Sequence, residues 1–510
     1  MFVRLAEVSF SYSDSIPILR DVSMQLAPGW TGVVGPNGAG KTTLIRLISG
    51  ELEPARGHVQ IDPPSASKSM RVCAQTALKI SPAIAAFAHA EDGVARRLHG
   101  ELALEPDTLE RWPTLSPGER KRWQVGAALA SEPAVLILDE PTDHLDADAR
   151  GLLLEALGRF RGIGIVVSHD RAMLEHLTAH TVRVHDGSAR IWRGAYGDAK
   201  RGWEAEQREY HASFERLKHE RDKLKRRLAD KRRIAQSAAA DWSAGAGKRM
   251  RGPGDHDATS MMAKGKSEMA SARLSRDAGN LRRGVDRVEE RLGEFEFRKD
   301  KGRALFVDYV PAPMHRVFAL DESEIMAGSK RVLEGVHLIV GRESKIRVAG
   351  PNGAGKTTLL GAMLRAARLP RERVMFLPQE LSEADGIAML AAVRELGAGD
   401  RARVLTLAAA LGVDPERVLG SQSPSPGEAR KLALAYGLGR QVWACVLDEP
   451  TNHLDMPAIE RLEEALAAYP GALLIVTHDD PLAERTTHEQ WRIDHGRIGV
   501  VSNARIGAER

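Results

Sequence analysis

Cysteine is nearly absent: the 510 residues hold two, Cys73 and Cys445, far apart and each alone in an apolar stretch. A disulfide framework or a cysteine-based metal site has little support, and a reducing compartment is indicated. Long apolar runs are missing too. Nothing approaches the roughly 18 consecutive apolar residues that cross a bilayer, and the opening MFVRLAEVSFSYSD carries Arg4, Glu7 and Asp14 with no signal-type apolar core. The expectation is a soluble, cytoplasmic protein without membrane insertion. Proline is absent from 200 to 252 and from 254 to 310, so that region lacks the residue most disruptive to helices.

Charge is present but unevenly spread. The net charge is +4, yet residues 200–303 hold 28 Lys/Arg against 18 Asp/Glu, a surplus of +10 that leaves the rest of the chain at −6. A charged stretch often serves only as a solvated helical face; a basic segment between two acidic ones also suits a polyanionic partner.

The chain repeats itself. GPNGAGKTT stands at 35–43 and again at 350–358, LDEPTDHLD (138–146) is answered by LDEPTNHLD (447–455), and VVSHD (166–170) by IVTHD (475–479). Apolar strands such as 134–138 alternate with longer amphipathic stretches, so each copy reads as an α/β domain. The expected domains are 1–199 and 314–510, joined by a basic helical linker over 200–313. In the linker, Tyr210, Phe214, Leu217, Leu224 and Leu228 fall on a 3-4 spacing with Arg221 among them. Leu274, Leu281, Val285, Val288, Leu292 and Phe295 repeat that spacing on the return. Gly245, Gly247, Gly252, Pro253 and Gly254 mark a turn, so the linker reads as a long antiparallel α-helical hairpin with its tip at about 245–266. An arm of roughly 40 residues would extend on the order of 60 Å.

G-x-x-x-x-G-K-T is a P-loop. Gly35, Asn37, Gly38, Gly40 and Thr43 shape a phosphate cradle in the first copy, and Gly350, Asn352, Gly353, Gly355 and Thr358 do so in the second. Lys41 or Lys356 reaches the outer phosphates, Thr42 or Thr357 ligates Mg²⁺, and the following helix offers its positive end. The strands ending in Asp139-Glu140 and Asp448-Glu449 supply a Mg²⁺-linked carboxylate and an acid placed to polarise water. SPGE at 116–119 and 425–428 makes a capping box that starts a helix, and a capped helix start is also an anion site.

In this order, with Gln75 or Gln379 between P-loop and SPGE, the motifs resemble those of ATP-binding-cassette ATPases across about 400 residues. Two cassettes, LDEPT[DN]HLD and a charged helical linker resemble the ABC-F subfamily in particular. The resemblance implies two P-loop cassettes paired head to tail within a monomer, enclosing two ATP molecules with Mg²⁺. Lys41, Thr42, Gln75, Asp139, Glu140 and His169 would face Ser425 and Gly427. Lys356, Thr357, Gln379, Asp448, Glu449 and His478 would face Ser116 and Gly118. The family's roles make Glu140 and Glu449 catalytic bases, His169 and His478 γ-phosphate sensors, and Gln75 and Gln379 contacts to metal or water, while His144 and His453 would sit at the cassette contact.

Departures from the pattern are specific. Pro117 and Pro426 replace a glycine of the usual signature, and Pro424 replaces a leucine. Tyr12 suits an adenine-stacking aromatic, but the region near Met326 and Ala327 offers none. The segment from Gln75 to Ser116 is too short for the extra arm of some ABC-F translation factors, and no coiled-coil tail is apparent. The family's role implies an ATP hydrolase that binds the ribosome through rRNA and P-site tRNA. It would insert its linker toward the peptidyl-transferase centre, and the long linker without the arm resembles the members that protect ribosomes from antibiotics. A factor relieving stalled ribosomes, an exporter motor and a DNA-repair ATPase are the alternatives. At the tip, Lys248, Arg249, Arg251, Lys264 and Lys266 read as phosphate contacts, and Met250, Met261 and Met262 either close the hairpin or reach that centre.

Overall fold

The computed structural model describes residues 1–13, 17–143, 145–246, 257–293, 306 and 309–502, the side chains of 235, 238–246, 257–268, 270–271, 274–275 and 502 excepted. It divides into two compact units, Met1–Ala199 with Lys301–Arg510, and Lys200–Asp300.

The first unit contains two copies of one α/β architecture. In the first copy a six-stranded sheet runs in the order Met70–Cys73, Val135–Asp139, Ile163–Val167, Gly29–Val34, His180–His185, Ser188–Arg193. All neighbours are parallel except the last pair. The second copy repeats the order with Val374–Leu377, Ala444–Asp448, Ala472–Val476, Lys345–Ala349, Glu489–Asp494 and Arg497–Ser502. Parallel strands covered on both faces must be apolar throughout, and Ile163–Val167 and Ala472–Val476 are buried at every position. This order places the P-loop strand beside the strand leading to His169 or His478, and that strand beside the one ending in Asp139 or Asp448. All three end on the same edge, where open α/β sheets bind ligands.

The copies differ in their antiparallel layer. Among the described residues the first has three strands, Pro17–Leu26, Phe2–Ser11 and Arg56–Asp62, and the second has two, Arg316–Ala327 and Lys330–Gly341. Between the helix ending at Arg365 and the turn Arg371–Arg373 there is too little chain for a third strand, and a single bridge from Phe318 to Ala367 stands there instead.

In the second unit, helix Tyr196–Ala246 from Lys200 onward and helix Asp257–Gly293 run antiparallel, with ion pairs from Lys225 to Glu289 (2.6 Å) and from Lys231 to Asp277 (3.4 Å). Of the expected stripe, Leu217, Val285 and Val288 are buried, while Tyr210 is 41% exposed. Arg221 pairs with its neighbour Asp222 at 2.7 Å, which accommodates a charge at a core-type position. Gly247, Lys248, Arg249, Met250, Arg251, Gly252, Pro253, Gly254 and the side chains of Met261, Met262, Lys264 and Lys266 lie outside the described residues, as do those of Leu274 and Phe295. No helix among the described residues is long and apolar enough to cross a membrane.

Candidate functional site

Both glycine-rich loops open on one cavity of about 930 Å³ between the two copies. Each loop ends in a left-handed glycine, Gly40 (φ 103°) or Gly355 (φ 99°), which turns the chain into helix Lys41–Ser49 or Lys356–Arg365 with its first amides facing the cradle. Lys41 Nζ donates to the carbonyls of Gly35 (2.8 Å) and Pro36 (3.0 Å), and Lys356 Nζ to those of Gly350 (2.8 Å) and Pro351 (3.0 Å). These bonds fold each ammonium back over its own loop.

The strand-end acids adopt a strained backbone, with φ of 44° at Glu140 and 46° at Glu449. Each is held there by its amide, which donates at 2.9 Å to the carbonyl of Val167 or Val476 on the adjacent strand. That strand then delivers a histidine to the acid. His169 N–H donates to Glu140 Oε2 (3.1 Å), with its Nε2 3.0 Å from Oε1. His478 repeats the arrangement on Glu449, both distances being 3.3 Å. Thr357 Oγ1 donates to Asp448 Oδ2 at 2.6 Å, pairing the hydroxyl and the carboxylate expected to share a cation.

The SPGE segments form the expected capping boxes: Ser116 Oγ accepts from Glu119 N–H (3.2 Å), while Glu119 Oε2 accepts from Ser116 N–H (2.8 Å). Ser425 and Glu428 do the same at 3.3 and 3.0 Å. Such a cap stabilises a helix start by about 1 kcal/mol. Ser425, Pro426 and Gly427 line the cavity, whereas Ser116 and Gly118 do not. Gly427 is tightly placed, since a Cβ there would stand 3.2 Å from the His453 carbonyl and 3.9 Å from Asn37 Nδ2.

The copies face each other through their P-loops. Asn37 N–H donates to Asp455 Oδ2 (2.7 Å) and its Nδ2 to the His453 carbonyl (3.3 Å); reciprocally, Asn352 N–H donates to Asp146 Oδ2 (3.3 Å). Asp146 and Asp455 are the final residues of the duplicated HLD segments. Their reach into the opposite P-loop was not read from the sequence, although their recurrence in both copies was the available signal. His144 lies outside the described residues. Of the other expected residues, Tyr12, Gly38, Thr42, Thr43, Gln75, Asp139, Gly353, Thr358 and Gln379 line the cavity, and Gly35 and Gly350 do not. Tyr12 is 60% exposed, with its hydroxyl 3.2 Å from Thr43 Oγ1 and its ring edge-on to Phe10.

A second set of residues escaped sequence reading: a buried cation five residues after each SPGE serine. Lys121 Nζ donates to the carbonyls of Ala74 (2.7 Å), Gln75 (3.0 Å) and Asp139 (2.9 Å). Arg430 holds those of Gln379 (3.0 Å) and Asp448 (2.9 Å), and also Glu449. Each cation ties the SPGE helix of its copy to the glutamine loop and to the acid strand.

Burial drives the ionisable groups toward neutrality. It pushes the Glu140 carboxyl well above the usual range, with Asp143 nearby adding to the effect, and Glu449 up to about 7. Burial pulls His169 down to about 3 and His478 to about 4, the adjacent lysines contributing, and lowers Lys41 and Lys356. Asp139 and Asp448 are raised for the same reason. A desolvated cleft with an acid near neutrality, a backbone phosphate cradle and a lysine above it suits hydrolysis of a polyphosphate.

Comparison with known proteins agrees. The ABC transporter family model matches residues 19–143 and 333–452. The tylosin resistance ATP-binding protein TlrC of Streptomyces fradiae is 31% identical over 98% of both chains. The ribosome protection protein VmlR of Bacillus subtilis is 26% identical over 97% of this chain and 87% of its own. Among solved structures, an archaeal ribosome recycling factor aABCE1 in complex with the stalk protein aP1 shares the fold at a TM-score of 0.62 and 18% identity, over 98% of this chain and 90% of its own. With two cassettes and this relationship along nearly its whole length, the chain belongs to the ABC-F subfamily of ATP-binding-cassette ATPases and hydrolyses ATP.

Proposed function

We propose that the protein binds two Mg²⁺-ATP between its cassettes and uses their closure to direct its basic linker into the ribosome, protecting it from antibiotics. The observation that carries the pairing is the reciprocal bond from each P-loop asparagine to the opposite HLD aspartate. Lys41 and Lys356 hold the outer phosphates, Glu140 and Glu449 accept the proton of the attacking water, and His169 and His478 fix those acids and sense the terminal phosphate. Tyr12 supports the base at the first site. The residues fit a magnesium ion: the Thr357 hydroxyl and the Asp448 carboxylate converge, with Gln379 lining the same cavity. Thr42, Asp139 and Gln75 correspond at the first site. Among the described residues no group of three or more His, Cys, Asp or Glu could cage a metal, so the ion would draw further oxygens from phosphate and water, as magnesium commonly does. When bound it neutralises phosphate charge.

The linker supplies the ribosomal end. Its surplus of +10 over residues 200–303 suits rRNA and P-site tRNA phosphates, with affinity falling steeply as salt rises. The names of the two relatives, one for resistance to tylosin and one for ribosome protection, support that target. A ribosomal partner also implies a cytoplasmic location, and the pairing of two cassettes within one chain supports a monomer as the working unit.

The test combines Glu140→Gln with Glu449→Gln to hold ATP without turnover. The trapped protein is expected to co-sediment with 70S ribosomes in ATP; absence from the ribosomal pellet would defeat the proposal. Expression of the intact chain should then raise tolerance to tylosin-class drugs, and deletion of 246–264 should abolish that tolerance. Ribosome binding without any change in drug susceptibility would assign the protein to relief of stalled ribosomes instead.

A further inference from the structure

The two ATP sites are not served equally by the cassette contact, because one arginine crosses it in a single direction. Arg150, in helix Ala147–Gly158 of the first cassette, points both Nη atoms at the His478 carbonyl of the second, each at 3.2 Å. Its Nε stands 3.3 Å from Asp170 Oδ2, and the side chain is only 15% exposed. His478 in turn donates its amide to Glu449. The guanidinium therefore grips the peptide that orients the acid of the second site.

The corresponding position of the second cassette, four residues after the HLD aspartate, is Ile459, which is apolar and buried. It has no donor to offer His169. A neighbouring residue extends the asymmetry: Arg171 reaches Glu463 (2.6 Å) and Asp479 (3.6 Å) across the contact, whereas its counterpart Asp480 turns to Arg347 of its own cassette (2.8 Å). The segment 478–480 is thus held by arginines at three consecutive residues, two of those arginines coming from the other cassette.

We propose that Arg150 is a positioning residue acting in trans on the second ATP site, so that hydrolysis there depends on cassette contact in a way that hydrolysis at the first site does not. This rests on the reading that Glu449 and His478 serve hydrolysis. A rigid peptide at 478 matters because an acid that must align one water loses rate steeply with small displacement, while ATP held mainly by the P-loop loses little affinity.

The experiment reads single-turnover hydrolysis of prebound ATP by the full chain, since a trapped neighbour can block reopening without stopping chemistry. Glu140→Gln reports the second site and Glu449→Gln the first. Adding Arg150→Gln should slow the second site about tenfold, with half-saturating ATP changed less than about twofold, and should slow it at least about five times more than the first. Arg150→Lys, which retains one charged donor, should recover much of the loss, which a packing defect would not allow. Equal slowing at both sites, or none at the second, overturns the inference and leaves the site assignment standing. If the Glu140→Gln, Glu449→Gln pair still hydrolyses ATP, or neither single variant turns over, the assignment itself fails.

Discussion

Replacing Glu449 by Gln should make the protein lose stability on acidification relative to the parent. Glu449 and His478 behave as a pair whose shifts are opposite in sign. Burial raises the acid from 4.5 to about 7 and, with the charges of Lys356 and Arg150, lowers the imidazole from 6.5 to about 4. The folded pair therefore takes up protons near 7 and 4, and the unfolded pair near 6.5 and 4.5. Both states bind nearly the same number at every pH, so the pair adds almost no slope to stability. Glu449→Gln deletes only the raised member. What remains is a histidine with a depressed folded pKa, whose contribution is complete above 6.5 and lost as pH falls toward 4. The change from 6.5 to about 4 corresponds to about 3 kcal/mol, and discounting for an imidazole that is 23% exposed leaves about 2 kcal/mol. Urea denaturation without nucleotide or Mg²⁺, followed by tryptophan fluorescence from pH 7.5 to 4.5, should show the variant losing stability relative to the parent on acidification. His478→Gln leaves the raised acid alone, whose contribution is present below 4.5 and lost as pH rises through 7, so it should gain relative stability over the same descent. Parallel stability curves for the parent and both variants would refute the opposed-shift argument.

Other outcomes follow from the cassette contact and the site. Asp455→Ala strips a buried partner from Lys431, 3.0 Å away, and removes an acceptor from Asn37; it should cost about 3 to 5 kcal/mol by thermal or chemical melting. Asp146→Ala, which loses a helix cap and a longer bond to Asn352, should cost about 1 kcal/mol in the same assay. Gly427→Ala places a methyl 3.2 Å from the His453 carbonyl and should push the signature helix off the first P-loop, lowering single-turnover hydrolysis in the Glu449→Gln background. An undiminished rate there would show that the contact has slack. Tyr12→Ala should weaken binding of a fluorescent ATP analogue to the first site about tenfold while Tyr12→Phe retains it, because a ring face contributes about 1 kcal/mol or more and the hydroxyl is not the stacking group.

Much of the site was legible because its chemistry uses residues adjacent in the chain. A P-loop is one continuous turn into a helix, a capping box spans four residues, and the acids stand at the end of an unbroken apolar strand. Gly40 before Lys41, Ser116 with Glu119 and Val135–Asp139 all formed as their local sequence implied. That the described residues of the second cassette form no third antiparallel strand reflects a short connection after Arg365 and no change of motif. Lys121 and Arg430 belong to no motif that distinguishes them from surface cations of an amphipathic helix. Only packing against the glutamine loop reveals that their donors are used by carbonyls.

Sequence alone determined that there are two α/β cassettes, where their glycine-rich loops and strand-end acids lie, and that a helical insertion separates them, because each is a property of neighbouring residues and their backbone needs. Tertiary structure decided how the copies act on each other. The bond from Asn37 to Asp455 joins residues 418 apart, and that from Arg150 to His478 joins residues 328 apart. No local pattern encodes such pairings, nor the burial that shifts Glu449 and His478 toward their neutral forms. Duplication made the two halves alike in motif; Arg150 opposite Ile459 made their sites unequal, a difference that takes effect only where one half folds against the other.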